Sequence, residues 1–195
     1  MGPMHSSEAL PLDEGERRQL LKLAWESIRH GLAKGRPSRP DPEGFSGRLR
    51  ERGAAFVTLH RTGALRGCIG HLEATQPLVL DVADNAFAAA FRDPRFEPLA
   101  EWELEGLELS ISILTAPSPL EFRDESDLLR QLRPGRDGLI LEDGGRRGTF
   151  LPAVWDSLHE PERFLAELKR KAGLPTTYWS PSLRVFRYQT ETFDR

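Results

Sequence analysis

Two short runs of strand-forming residues, Ala55-Phe56-Val57-Thr58-Leu59-His60 and Leu65-Arg66-Gly67-Cys68-Ile69-Gly70-His71, stand on either side of Thr62-Gly63. β-Branched and aromatic residues interrupted by a tight-turn dipeptide predict an antiparallel hairpin. Such a hairpin commits the chain to a sheet with antiparallel pairing. With Thr62-Gly63 as a two-residue loop, Val57 falls opposite Cys68. Period-two alternation then puts Arg66, Cys68 and Gly70 on one face with Val57 and Leu59, and Leu65, Gly67, Ile69 and His71 on the other. A one-residue slip in register would invert this assignment.

The rest of the chain supplies helices and further hairpins. Asp13 followed by Glu16 makes a capping box, and Leu20, Leu21, Ala24, Ile28 and Leu32 recur at helical spacing up to Gly31–Gly35. Residues 36–47 carry three prolines and read as a surface loop. Thr75-Gln76-Pro77 starts a second helix with Leu78, Val79, Val82, Ala83, Ala86, Phe87 and Ala90 on one side, stopped by Pro94; the alanine run 88–90 lets it lie close against the sheet. Leu107, Leu109, Ile111 and Ile113 alternate with polar residues as a half-buried strand. Asp124 or Ser126 caps a short helix, Asp143-Gly144-Gly145 turns a second hairpin, and Pro161 opens a third long helix ended by Gly173. Leu183 to Thr190 reads as a closing strand. With no βαβαβ rhythm, the fold class is α+β, a mainly antiparallel sheet covered by helices. The organisation expected is a flexible N-terminus over 1–11 and a single domain over 12–193.

At 195 residues one core suffices. Lys and Arg number 27 against 30 Asp and Glu, a net charge of -3, which disfavours duplex nucleic acid as a partner because counterion release needs a concentrated basic surface. The single cysteine cannot close an internal disulfide and no Cys-x-x-Cys occurs, so a reducing cytoplasm is the expected location. No apolar run approaches the ~20 residues of a membrane span. Met1-Gly2 with Ser6 matches a permissive myristoylation pattern that chance explains better.

Cys68 is the first candidate for chemistry. A reactive thiol needs a cationic surrounding, and Arg66, two strand residues away, would share its face at about 7 Å. The flanking Gly67 and Gly70 would let a ligand approach; the alternative is a small packed residue whose glycines serve backbone contact. His60 and His71 bracket the hairpin, yet the register puts His71 on the face opposite Cys68, against a Cys-His pair. The five histidines are too scattered for a metal site, so neither metal nor other cofactor is expected. Gly144-Gly145-Arg146-Arg147-Gly148-Thr149 could cradle phosphate but lacks P-loop spacing and reads as a hairpin tip with solvated arginines. Asp93-Pro94-Arg95-Phe96 either presents a guanidinium from a fixed turn or is a helix stop with an ion pair.

The hexapeptide Leu65-Arg66-Gly67-Cys68-Ile69-Gly70 resembles the signature of the AMMECR domain family. The resemblance continues through Asp93-Pro94-Arg95-Phe96, the strand Leu107 to Thr115, Gly148-Thr149-Phe150-Leu151-Pro152, and Phe164-Leu165 with Lys169 to Leu174. It covers about 12–193 and is nearest the prokaryotic type called AmmeMemoRadiSam system protein A. Glu97 and Ala153 stand where that family carries proline and glutamine. The resemblance implies an α+β fold with two unequal lobes and a cleft at the hexapeptide lined by Arg66, Gly67, Cys68 and Gly70, with Arg95 at its rim. It implies an accessory or ligand-binding module acting with a radical S-adenosylmethionine protein and a Memo-like protein. It supplies no settled activity, and a cysteine-dependent enzyme or redox participant using Cys68 is the alternative.

Overall fold

The computed structural model describes residues 11–194. The expected flexible N-terminus, except Pro11, and the myristoylation pattern lie outside the described residues. In chain order the elements are α1 (Glu14–Lys34), α2 (Gly47–Arg50), β1 (Arg52–Gly53), β2 (Ala55–Arg61), β3 (Ala64–Gly70), β4 (Gln76–Pro77), α3 (Leu78–Phe91), β5 (Leu107–Leu114), β6 (Ser118–Pro119), α4 (Glu125–Gln131), β7 (Gly138–Asp143), β8 (Arg146–Phe150), α5 (Pro161–Lys171), β9 (Arg184–Tyr188) and β10 (Thr190–Asp194). The fold is α+β, and the pairings β1–β4, β2–β3, β2–β5, β6–β9, β7–β8 and β7–β9 are antiparallel. The chain forms two compact units of unequal size, the larger running to Leu114 and including Glu191 onward, the smaller spanning Thr115–Thr190.

In the larger unit a four-stranded sheet has the order β10-β5-β2-β3, with β3 at an edge. One face is core: Val57, Leu59 and Ile111 are fully buried with Val79, Val82, Ala83 and Ala86 of α3 and Leu20, Ala24 and Ile28 of α1. The capping box forms, Asp13 Oδ1 accepting from Glu16 N at 2.8 Å and Glu16 Oε2 from Asp13 N at 3.0 Å. Small residues set how closely α3 lies on the sheet. A Cβ at Gly67 would stand 2.1 Å from the Ala89 carbonyl oxygen, so β3 and α3 meet where only a glycine fits.

The hairpin turns at Thr62-Gly63 as expected, both with positive φ (52° and 79°), the type I′ conformation that matches strand twist. The expected register is corrected. His60 pairs with Leu65, but Leu59 pairs with Gly67 and Thr58, not Val57, faces Cys68. Two residues of β3 therefore answer one step of β2, a bulge at Arg66 that shifts everything beyond it by one position. Cys68 and Gly70 thus share the half-buried face with Thr58 and Phe56, opposite to the core face of Val57 and Leu59. The expected closing strand is also two strands, β9 in the smaller sheet and β10 in the larger.

The smaller unit has a sheet of order β6-β9-β7-β8 with α4 and α5. Its core holds Leu128, Leu139, Leu141, Trp155, Phe164, Leu165, Leu168 and Val185, with Trp155 stacked on Phe164 at 3.8 Å between ring centroids. Lys169 is fully buried and its Nζ donates to Glu125 Oε1 at 2.9 Å.

Among the described residues no helix is long and apolar enough to cross a membrane.

Candidate functional site

The site is built on the free edge of β3. In an antiparallel pair, residues whose N–H and C=O point away from the neighbouring strand bring their side chains closest together. Cys68 is such a residue. Its N–H donates to Asp93 Oδ2 at 2.9 Å, its carbonyl accepts from Arg95 Nη2 at 3.4 Å, and its Sγ lies 3.2 Å from Thr58 Oγ1. Two side chains of the loop after α3 thus occupy the place of a further strand and bracket one peptide unit.

Asp93 is buried and anchors that bracket. Its Oδ1 accepts from Arg95 N at 3.1 Å and Arg95 Nε at 2.9 Å, and its Oδ2 accepts from Arg95 Nη2 at 2.7 Å as well as from Cys68. The Arg95 guanidinium, helped by the backbone N–H groups of Cys68 and Arg95 and against the effect of burial, holds the Asp93 carboxyl well below the usual carboxylate range. Arg95 remains 53% exposed in its side chain, so one end is fixed and the rest faces solvent.

Arg66 is placed differently from what its spacing suggests. As the bulged residue it projects to Glu103, donating from Nε to Oε1 at 2.7 Å and from Nη2 to Oε2 at 2.9 Å, and Nη2 also donates to the Glu97 carbonyl at 2.9 Å. Its side chain is only 13% exposed, with Cζ 5.8 Å from the Phe96 ring centroid. The hydrogen bonds from Arg66, and from Ala100 N, pull the Glu103 carboxyl down to about 2, burial opposing them. The guanidinium is thereby matched by a carboxylate of the protein itself, and it braces the 97–103 loop against β3.

Gly67 and Gly70 serve close contact. At Gly67 the missing Cβ makes room for the α3 backbone, and at Gly70 a Cβ would stand 2.3 Å from the Phe56 ring and 2.5 Å from the Ala55 carbonyl oxygen. The half-buried face carries a polar row in register, Cys68 to Thr58 to Ser110, and Ser112 Oγ lies 2.8 Å from Thr192 Oγ1. Cys68 is itself half-buried and free.

His71 belongs to another arrangement. Its Nδ1 lies 2.6 Å from Oδ1 of the fully buried Asp81, whose Oδ2 accepts from Ala55 N at 2.9 Å and Asn85 Nδ2 at 3.0 Å. The imidazole is held to α3 through Asp81, and Cys68 Sγ is partnered by a hydroxyl. At the second hairpin, Glu142 to Arg147 with Ser182 and Arg184 line an open cavity of about 440 Å³, but Arg146 Nη1 donates to the Gly173 carbonyl at 2.6 Å and Arg147 and Arg184 both pair with Glu142. Among the described residues no group of three or more His, Cys, Asp and Glu side chains is arranged to hold a metal.

The structure therefore brings Cys68 together with Arg95, and Arg66 with the same loop a few residues on. Thr58, Asp93 and Glu103 complete the site. Asp93 lay within a stretch already singled out; Thr58 was hidden by the register, and Glu103 is one of five glutamates between 97 and 108, which gives no local sign of the one that is buried.

Comparison with known proteins agrees with this architecture. A protein of Methanothermobacter thermautotrophicus is 39% identical over 189 residues, covering 94% of this chain and 96% of its own length. One of Thermotoga maritima is 37% identical, covering 89% of this chain and 95% of its own. The crystal structure of an uncharacterised protein of Pyrococcus horikoshii superposes with a TM-score of 0.85 at 34% identity, covering 94% of this chain and 93% of that one. The AMMECR1 family profile matches residues 21–193, and on this evidence the chain belongs to the AMMECR1 family.

Proposed function

We propose that the chain is an accessory or ligand-binding module that receives a small molecule or a partner segment over Cys68, acting in the cytoplasm with a radical S-adenosylmethionine protein and a Memo-like protein. The observation that carries this reading is the Asp93–Arg95 bracket. A buried carboxylate and a guanidinium fix the N–H and C=O of the single Cys68 residue, while Cys68 and Thr58 are half-buried and the Arg95 side chain is largely exposed. Donors and acceptors held in place before a ligand arrives lower the ordering cost of binding. Arg66 acts here as a positioning residue through Glu103, and Gly67 and Gly70 set the strand's depth against α3 and Phe56.

The reading as a cysteine-dependent enzyme has less support, because a nucleophilic thiol needs a base in reach and the polar side chain that meets Cys68 Sγ is the Thr58 hydroxyl at 3.2 Å, which is no base at neutral pH. Titration calorimetry of the chain against the radical S-adenosylmethionine and Memo-like proteins of its own organism tests the proposal. Binding that weakens about tenfold or more in Arg95→Ala, measured at a temperature where the variant is still folded despite the loss of Asp93's charge partner, is the expected outcome. Unchanged affinity in Arg95→Ala and Cys68→Ala would overturn it.

A further inference from the structure

The cavity at the second hairpin, about 440 Å³, is lined by residues of the smaller unit alone and takes no part in the Cys68 site. Its volume falls in the range of small-molecule sites. Strand register sets the charges around it. Glu142 on β7 faces Arg147 on β8 and Arg184 on β9, so one carboxylate stands between two guanidiniums, 3.2 and 3.1 Å away. Asp143 faces Arg146 across the hairpin but turns to hydroxyls, accepting from Ser182 Oγ at 2.7 Å and Tyr178 OH at 3.0 Å. Arg146 thus has no carboxylate partner among the described residues, and its Nη1 donates to the Gly173 carbonyl at 2.6 Å.

Three guanidiniums against two carboxylates leave one positive charge in excess, and depth decides which sign a ligand meets first. Asp143 is 7% exposed and the Glu142 side chain 25%, whereas the Arg147 and Arg184 side chains are 39% and 70% exposed and Arg146 is exposed as well. The carboxylates are recessed and the guanidiniums stand out. A guanidinium has five N–H donors. Arg146 and Arg184 each spend one of theirs on the protein, so the others are open to an acceptor. Gly144 and Gly145 form the turn beside them, and a Cβ at either would meet nothing within 4 Å, so the backbone there is uncovered.

We propose that this cavity binds the phosphate group of a small molecule, held by Arg146 and Arg184, with Glu142 as the internal anion that competes for Arg184. Guanidiniums pair with phosphate oxygens through short, charge-assisted hydrogen bonds, and a phosphate monoester brings about twice the charge of a carboxylate. Duplex nucleic acid is not the occupant, because one excess charge at a bounded cavity lacks the extended basic surface that counterion release needs. The inference is independent of the Cys68 reading, since it draws on neither the thiol nor the Asp93–Arg95 bracket.

Isothermal titration calorimetry in a chloride buffer tests it, with inorganic phosphate and glycerol 3-phosphate as probes and acetate as control. The expected result is binding of a phosphate probe tighter than about 1 mM, weakened about tenfold or more in Arg146→Ala and in Arg184→Ala, each measured where circular dichroism shows the variant folded. Glu142→Gln, which removes the competing carboxylate, is expected to tighten binding. Tighter binding of inorganic phosphate makes the free ion the ligand, and tighter binding of the ester makes it a phosphorylated organic molecule. The inference is overturned if neither probe binds up to about 1 mM, if acetate binds as tightly, or if both arginine variants bind as the parent does.

Discussion

Glu103 carries much of the pH dependence of the hexapeptide edge. Its carboxyl sits at about 2 in the folded chain, chiefly through the Arg66 guanidinium, whereas a free glutamate titrates at about 4.3. A carboxylate depressed by folding binds fewer protons folded than unfolded, so its stabilisation is fully present above the ordinary value and is lost as pH falls toward 2. Asp93 acts in the same direction through Arg95, its loss lying further into acid. Removing the negative partner also strands a guanidinium that is mostly buried. Glu103→Gln is expected to cost about 2–3 kcal/mol at neutral pH and to flatten the fall in stability between about pH 4.5 and 2, as read by urea unfolding across that range. A variant that keeps the parent's acid slope would show that the pair is not the group being titrated.

At the scale of elements, the contact of β3 with α3 fixes where the hexapeptide lies. Gly67→Ala would drive a methyl into the Ala89 carbonyl, a backbone atom that cannot swing aside as a side chain can. A loss of about 2–3 kcal/mol is expected, measured as a lowered denaturation midpoint, and a Gly67→Ala protein as stable as the parent would show that the helix shifts freely. The same contact explains what local sequence could and could not reveal. The ends of α1, the type I′ turn at Thr62-Gly63 and the second hairpin are written in capping residues and glycines within a few positions of one another, and all are legible. The bulge at Arg66 is set by Glu103, far along the chain, and by α3 over Gly67, so period-two counting from the turn missed it and misplaced Cys68. The break at Gln189 is equally silent, because its neighbours on both sides have strand character while β9 and β10 join different sheets. Leu65–Gly70 and Asp93–Phe96 each stood out alone, but only folding shows that one clamps the other.

For the whole molecule, the fold follows from patterning and from family membership, the chain leaving its larger unit after Leu114 and returning to it at Glu191. The functional claim rests on one edge peptide and one thiol. Because Cys68 is the chain's sole cysteine, its alkylation reports that place alone. The measurement that tests the account most directly is the rate of Cys68 alkylation by iodoacetamide in the folded protein, with and without a saturating amount of the Memo-like or radical S-adenosylmethionine protein. The account predicts reaction in the native state, as a half-buried thiol at a strand edge allows, and protection of about tenfold or more when the partner that receives this surface is bound. A thiol that stays silent until the chain unfolds, or one that reacts at the same rate with every partner bound, would contradict the claim that the bracketed Cys68 edge is a binding surface.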